Sequence, residues 1–389
     1  MSRSTNFSSS EPQHIPMVKV DEFLVERWMN EYEHDVEVNM AETCVQPFTL
    51  REFLEFTDRP DYMDEIMDRQ LTYGWIEGSP ELREGIAGLY RDVDPGDVLV
   101  TGGAIEANFN SFYSLVEPGD TVVSVYPAYQ QLYSVPKGFG ANVKPLRLLP
   151  EKGWLPDMEE LKELVDRKTK MIVVNNPHNP SGSLIDTPTL RAICEVAEGV
   201  GAYVHCDEAY RGLYFDPADR VPSVVDVYEK GVATGSFSKP ISLTGLRLGW
   251  ITANHEAVHQ FKLRRDYTTI SKGMIDDALG ALAMQHIDRI LERNNRIVKA
   301  NHRLLDAWIR DEPLMDWVPP RAGSVGFMRH HLDARARDIC KELIEEKSTF
   351  MVPGDCFGFS DHIRIGYGNN IEVLKQGLGR FKEYLDCHR

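Results

Sequence analysis

Between about residues 97 and 253, short apolar runs alternate with stretches whose apolar positions recur at helical spacing. The runs are DVLVTGG (97–103), TVVSVYP (121–127), KMIVVNNP (170–177), AYVHCDE (202–208), GVATGS (231–236) and LGWITA (248–253). The stretches 104–116, 187–199 and 254–264 read as helices between them. Parallel neighbours need a long crossover, which a helix supplies, so this rhythm predicts a mostly parallel sheet with helices on both faces. Upstream, Phe23, Leu24, Trp28 and Met29 space an amphipathic helix over about 18–37. From about residue 295 the character changes. A long charged helix over roughly 287–311 leads to two strand-like pieces, VGFMRH and HIRIGYG, with a helical stretch at 333–346 between them. That pattern predicts a second, smaller α+β unit. Residues 1–16 are polar and serine-rich and predict a disordered tail. There is no internal repeat.

A chain of 389 residues is long for one domain and suits two. Hydrophobic residues make up 42%, enough for a large core. The 60 acidic residues outnumber the 43 basic ones, giving a formal charge of −17. Such a surface repels nucleic acid and anionic membrane, so neither is expected as a partner. No apolar stretch reaches the roughly 18 residues of a membrane span. The N-terminus has no apolar run of the secretory kind. The cysteines, Cys44, Cys194, Cys206, Cys340, Cys356 and Cys387, show no C-x-x-C spacing. They read as free thiols of a reducing compartment, so a cytoplasmic enzyme is expected.

In open parallel sheets, ligands bind beyond the carboxyl ends of the strands. The unusual residues of this chain fall there. Gly102, Gly103, Ala104 and Ile105 follow the first run and open a helix. The free N–H groups of Gly103, Ala104 and Ile105 would make a phosphate cradle, which Ser236 and Arg247 complete, the arginine by a bidentate pair. Tyr126-Pro127-Ala128-Tyr129 follows the second run, and Tyr129 can stack on a flat ring. Asn176-Pro177-His178-Asn179 follows the third, and Asp207-Glu208-Ala209-Tyr210 the fourth. Asn179 and Tyr210 can hydrogen-bond a ring oxygen, and Asp207 can keep a pyridine nitrogen protonated. Ser236-Phe237-Ser238-Lys239 follows the fifth, and the Lys239 amine can form a Schiff base with an aldehyde.

The stretch SFSKPISLTGLRLGW (236–250) resembles the cofactor-lysine signature of class I/II, fold-type I, pyridoxal-phosphate (PLP) aminotransferases. Serine stands three before the lysine and arginine eight after it. NNPHNPSG and CDEAY are similar to the family's asparagine and aspartate/tyrosine motifs, and TYGWIEGSPELREGI (72–86) to its Tyr-x4-Gly segment. HIRIGYG resembles the segment whose arginine grips the substrate α-carboxylate. The likeness runs from about residue 70 to the C-terminus, with these motifs in order.

The resemblance implies an α/β fold-type I transferase. Its large PLP-binding domain, 61–294, would carry a mostly parallel seven-stranded sheet. A smaller α+β domain would comprise 17–60, with the N-terminal arm, and 295–389. It further implies Lys239 as the catalytic residue. Gly103, Ala104, Ile105, Tyr129, Asn179, Asp207, Tyr210, Ser236, Ser238 and Arg247 would hold PLP. Tyr73 would reach the phosphate of a neighbouring subunit in a homodimer with shared sites. Arg364 and Asn179 would bind an amino acid or 2-oxo acid. Where many members carry a G-x-P-x-F segment, this chain reads NMAETCVQP (39–47). That looks like a side branch including capreomycidine synthase and PLP enzymes acting on arginine, and it makes Glu42 a candidate for facing a basic substrate side chain. The expected reaction is transfer of an amino group between an amino acid and a 2-oxo acid. The alternative is a lyase, cyclase or oxidase on an arginine-like amino acid.

Other readings are weaker. No G-x-G-x-x-G follows the first strand, against a nicotinamide dehydrogenase. A PLP-binding regulator would need a DNA-binding domain, for which the 16-residue tail is too short, and the chain's −17 charge opposes DNA. His330 and His331 are adjacent in a strand and point to opposite faces, so with His362 they read as structural and no metal site is expected. Cys206 reads as a small core residue.

Overall fold

A computed structural model describes residues 20–388; the polar tail at 1–16 lies outside them. Thirteen strands follow in order: β1 (Val38–Asn39), β2 (Val98–Thr101), β3 (Thr121–Tyr126), β4 (Asn142–Arg147), β5 (Thr169–Asn175), β6 (Tyr203–Asp207), β7 (Gly231–Ser236), β8 (Gly249–Ala253), β9 (Met315–Trp317), β10 (Val325–His330), β11 (Thr349–Phe350), β12 (Val352–Pro353) and β13 (His362–Gly366). Strands β2 to β8 form one seven-stranded sheet in the order β2-β8-β7-β6-β5-β3-β4. Only β8 runs against its neighbours, β2 and β7; the pairings of β3 with β4 and β5, of β5 with β6 and of β6 with β7 are parallel. The carboxyl ends of β2, β3, β5, β6 and β7 therefore share one edge.

Six of the seven strands coincide with the apolar runs, because strands covered on both faces must be apolar throughout. The seventh, β4, sits at the sheet edge. Its sequence NVKPLR is largely exposed and includes a proline, which an edge strand tolerates. It therefore carries no apolar signal. The helices Ala104–Leu115, Thr187–Glu198 and His255–Arg265 lie within a residue or so of expectation. Asp186 and Asn254 cap the second and third, accepting from Thr189 N (2.9 Å) and Ala257 N (3.0 Å). The first begins at Gly103 with no side-chain cap.

The N-terminal helix is shorter than its apolar spacing suggested and spans Leu24–Tyr32. Its start is set by tertiary contacts, since Leu24 N donates to Gln130 Oε1 (2.9 Å). It stops where Glu33, His34 and Asp35 offer no further apolar face. Buried Trp28 donates to Met351 O (2.9 Å), which anchors the helix to the chain's C-terminal part.

A smaller antiparallel sheet, ordered β12-β13-β10-β9, follows the long helix Ile287–Asp311, and β1 pairs in parallel with β11. The long helix buries Ile290, Asn294, Val298, Asn301, Leu305 and Ile309 along one stripe. The two asparagines in that stripe are fasteners. Asn294 donates to Pro240 O (2.7 Å), beside the candidate lysine. Asn301 donates to Tyr367 O (2.8 Å), just after β13. One rigid helix thus ties the lysine loop to the strand carrying Arg364. Among the described residues no helix is long and apolar enough to cross a membrane.

Candidate active site

The shared strand edge opens into a cavity of ≈ 270 Å³. Ala104, Ile105, Tyr129, Asn179, Asp207 and Tyr210 line it, together with Ser236, Ser238, Lys239, Arg247, Arg364 and Glu42. Gly103 is not itself a lining residue but directly precedes Ala104 as the N-cap of Ala104–Leu115. Of the candidates named from the sequence, Tyr73 alone lies away from the cavity. It is 69% exposed, among other exposed apolar residues that include Leu71, Trp75 and Tyr267.

The uncapped helix start has the form of an anion cradle. Gly103 has φ +87°, a conformation glycine adopts without strain, and an added Cβ would lie 3.1 Å from Arg247 Nη2. Gly249, next to Arg247 and Leu248 on β8, packs against the same turn; a Cβ there would lie 2.6 Å from Ala104 N. Gly249→Ala is therefore expected to displace the cradle. Cofactor affinity should fall by about tenfold or more, about 1.4 kcal/mol, while the core strands stay folded. Equilibrium dialysis of the cofactor, beside a thermal melt, checks this; unchanged affinity would show that the turn is not the anion site. Ser236 Oγ accepts from Ser238 N (3.0 Å), so the loop after β7 is folded back toward the cradle.

Lys239 is half-buried in the cavity wall, and its Nζ donates to Cys44 Sγ at 3.4 Å. Thr244 Oγ1 also donates to that sulfur, at 2.8 Å. Burial works against the lysine's charge, but Cys44, Tyr210 and Glu42 around it outweigh burial and hold its pKa above the ordinary lysine value. Glu42 is the reciprocal case. Burial would raise it, yet the nearby Lys239 charge and hydrogen bonding with Cys44 leave it below the usual glutamate value. Cys44 N donates to Glu42 Oε1 (2.8 Å). The Glu42 carboxylate thus faces the lysine side of the cavity.

Asp207 ends β6 in full burial, which pushes its carboxyl above the ordinary range against hydrogen bonds from Ala209 N and Asn108 Nδ2, both 2.9 Å. Behind it stands a chain of neutral groups. Asn108 Oδ1 accepts from Thr234 Oγ1 (2.7 Å) and lies 3.0 Å from His205 Nε2, while His205 Nδ1 lies 3.0 Å from Ser111 Oγ. Burial lowers His205 to about 3, so it is neutral, with Nε2–H donating to the asparagine. Asp207 therefore has no cation beside it and is suited to one brought by a ligand.

Two loops are locked together around this point. His178, lowered to about 4 by burial, bridges Pro127 O and Ser181 Oγ, both at 2.8 Å. It joins the loop carrying Tyr129 to the loop carrying Asn179. Asn179 N donates to Asn175 Oδ1 (2.6 Å), and its own buried Oδ1 has no hydrogen-bond partner among the described residues. Arg364, on β13 opposite Phe327, is buried; its Nη2 donates to Ala41 O (3.2 Å) and its Nε has no partner among the described residues. Among the histidines read as structural, His330 lies by Ser360 O (3.3 Å), His331 by Asp316 (2.7 Å) and His362 by Asp361 (2.7 Å), three separate partners.

The sequence reading missed several of these groups. Glu26 of the N-terminal helix lines the cavity and accepts from Tyr129 OH (2.8 Å). Asn108, His205, Cys44 and Thr244 were not singled out either. Asn108 had a visible signal, a polar residue on the helix face turned toward the sheet; Glu26 had none, since a glutamate on an amphipathic helix reads as solvated.

The residues fit pyridoxal phosphate. The cradle takes a phosphate, a buried carboxylate awaits a cationic ring nitrogen, a half-buried amine can meet the aldehyde, and an unpartnered amide lies between them. The profile of the aminotransferase class I and II family matches residues 59–381. A solved PLP-dependent aminotransferase from Streptococcus suis 89-1591 superposes with a TM-score of 0.93 at 39% identity, covering 95% of this chain and 99% of that one. The solved PLP-dependent cyclase OrfR gives 0.88 at 25% identity, covering 98% and 100%. Capreomycidine synthase of Streptomyces vinaceus is 29% identical over 383 residues, 97% of this chain and 96% of its own. Motifs, fold and profile agree, and the chain belongs to the class I and II aminotransferase family.

Proposed function

We propose that this enzyme is a PLP-dependent aminotransferase moving an amino group between an amino acid and a 2-oxo acid. The observation that carries this is the convergence of Lys239, Asp207, Arg364 and the uncapped helix start on one cavity. Bound there, the cofactor supplies an aldehyde for the substrate amine and a ring that withdraws electrons from Cα. The N–H groups of Gly103, Ala104 and Ile105, with Ser236, Ser238 and Arg247, bind the phosphate. Asp207 would face the ring nitrogen, Asn179 and Tyr210 would bond the ring oxygen, and Tyr129 would cover a ring face. Arg364 and Asn179 take the α-carboxylate, which turns the Cα–H bond toward Lys239. Lys239, the one lysine among the described lining residues, would take the Cα proton as a general base.

Glu42 is the residue of the NMAETCVQP segment proposed to favour a basic or polar substrate side chain over aspartate, since an acidic side chain would meet like charge. The test is steady-state turnover with arginine, lysine, glutamine, aspartate and aromatic amino acids, with the products identified, repeated on Glu42→Gln. A preference for aspartate, or an unchanged preference in the variant, would remove the Glu42 role. The second reading, a lyase, cyclase or oxidase on an arginine-like amino acid, is favoured by the likeness to OrfR over nearly the whole chain. Its mark would be a product that keeps its amino group or loses it without an oxo-acid acceptor.

The proposed assembly is a homodimer in which Tyr73 completes the partner's phosphate site. Its support is the exposed apolar belt around that residue, which a monomer would leave in water. Sedimentation should give a dimer at assay concentrations, and an active monomer would contradict both points. The proposed division sets 61–294 against 17–60 with 295–389, joined through the helix Ile287–Asp311, which runs unbroken across residue 294. The six cysteines are free, which suits a cytoplasmic setting.

A further inference from the structure

The helix Leu24–Tyr32 contributes Val25, Glu26 and Met29 to the cavity wall. It is firmly seated. Gln130 holds it from one side, accepting from Leu24 N and donating to Glu22 O (2.7 Å), while the Phe23 ring lies 4.8 Å from that of Tyr129. On the other side Trp28 is buried against Phe350 and Met351. Glu26 therefore stands on a fixed wall of the site.

Its Oε1 accepts from Tyr129 OH at 2.8 Å. Burial, then the charge of Glu26, pushes the Tyr129 phenol well above its ordinary value, so the phenol keeps its proton and remains the donor. One hydrogen bond uses one of about four lone-pair positions on a carboxylate. Among the described residues Glu26 forms no ion pair. The cations lining the cavity are Lys239, Arg247 and Arg364. The proposed reading assigns these to the amine chemistry, the phosphate and the α-carboxylate. Glu42 is bonded to Cys44 N and sits in the field of Lys239. With Asp207 assigned to the ring nitrogen, Glu26 is the remaining wall carboxylate left without a cation, and no cation among the lining residues remains for an acidic substrate side chain.

We infer that Glu26 is a specificity-determining residue that receives the guanidinium or ammonium of a basic amino-acid substrate. This rests on the aminotransferase reading, with the α-carboxylate at Arg364. A guanidinium would fill the open positions on Glu26 with charge-assisted bonds while Tyr129 keeps the carboxylate oriented. A side-chain carboxylate at the same place would meet like charge.

Arginine and citrulline test this, because they share a shape and differ by one charge. The wild-type enzyme should favour arginine in kcat/KM by about tenfold or more, the scale of one well-formed charge pair. The same preference should appear in calorimetric affinities measured on the cofactor-loaded Lys239→Ala variant, where no turnover intervenes. Glu26→Gln should bring both ratios close to parity. Tyr129→Phe should lower turnover with both substrates yet keep the preference, because the carboxylate remains. A Glu26→Gln variant that still prefers arginine would overturn the inference. So would a Tyr129→Phe variant that loses the preference equally, since Glu26 would then act only by holding Tyr129. Equal wild-type affinities for the two amino acids would overturn it as well. Absence of oxo-acid product alongside an arginine preference abolished by Glu26→Gln would instead contradict transamination and leave the Glu26 role standing.

Discussion

Lys239→Ala is expected to lower turnover by about ten-thousand-fold or more, the upper range for loss of a group that moves protons in the rate-limiting step. The cavity offers no replacement. Lys239 is the one lysine among its described lining residues, and Arg247 and Arg364 carry guanidiniums that do not give up their protons. The phosphate cradle is separate from the amine, so the variant should still retain cofactor through Gly103, Ala104, Ile105, Ser236 and Arg247. Borohydride treatment followed by mass spectrometry should attach the cofactor to the peptide containing residue 239 in the wild type and leave the variant unlabelled. Labelling that persists in the variant would remove Lys239 from its assigned role.

Asp207→Ala should be the next most damaging change, costing about a thousandfold in turnover, as removal of a preorganised charged partner does. Cofactor affinity should fall far less, because the phosphate contacts remain. The physical reason lies in the surroundings of Asp207. Its carboxyl is buried, is raised by that burial, and is bonded only to Ala209 N and Asn108. Asn108, Thr234 and neutral His205 supply no positive charge, so the carboxylate gains most from a protonated ring nitrogen. Turnover that survives within about tenfold, roughly 1.4 kcal/mol, would show that Asp207 does not contact that nitrogen.

Much of this was legible in the sequence because the buried strands had to be apolar and the chemistry had to follow them. The run GVATGS matches β7 residue for residue, ending on Ser236, and Lys239 follows three residues later. The edge strand β4 was not legible, since a half-exposed strand containing Pro145 has neither an apolar run nor clean alternation. Glu26 and Cys44 were missed for a different reason. They reach the cavity only because the N-terminal segment folds back over it, through Leu24–Gln130 and through the β1–β11 pairing. Sequence spacing carries no trace of such a return. Glu42 was placed in the cavity as expected, but its orientation toward Lys239 depends on the turn that gives Cys44 N to its carboxylate. Tyr73 shows the opposite case, a motif residue whose proposed role lies in another subunit and which is exposed in the single chain.

The most direct test of the aminotransferase assignment is a single half-reaction. Enzyme loaded with cofactor is mixed with excess amino acid and no 2-oxo acid, and the cofactor's visible band and the released product are followed together. The account predicts that the band bleaches, that one 2-oxo acid is released per active site, and that adding a 2-oxo acid restores the band while yielding a new amino acid. Continuous product formation with no acceptor present, or a product that is not a 2-oxo acid, would contradict it.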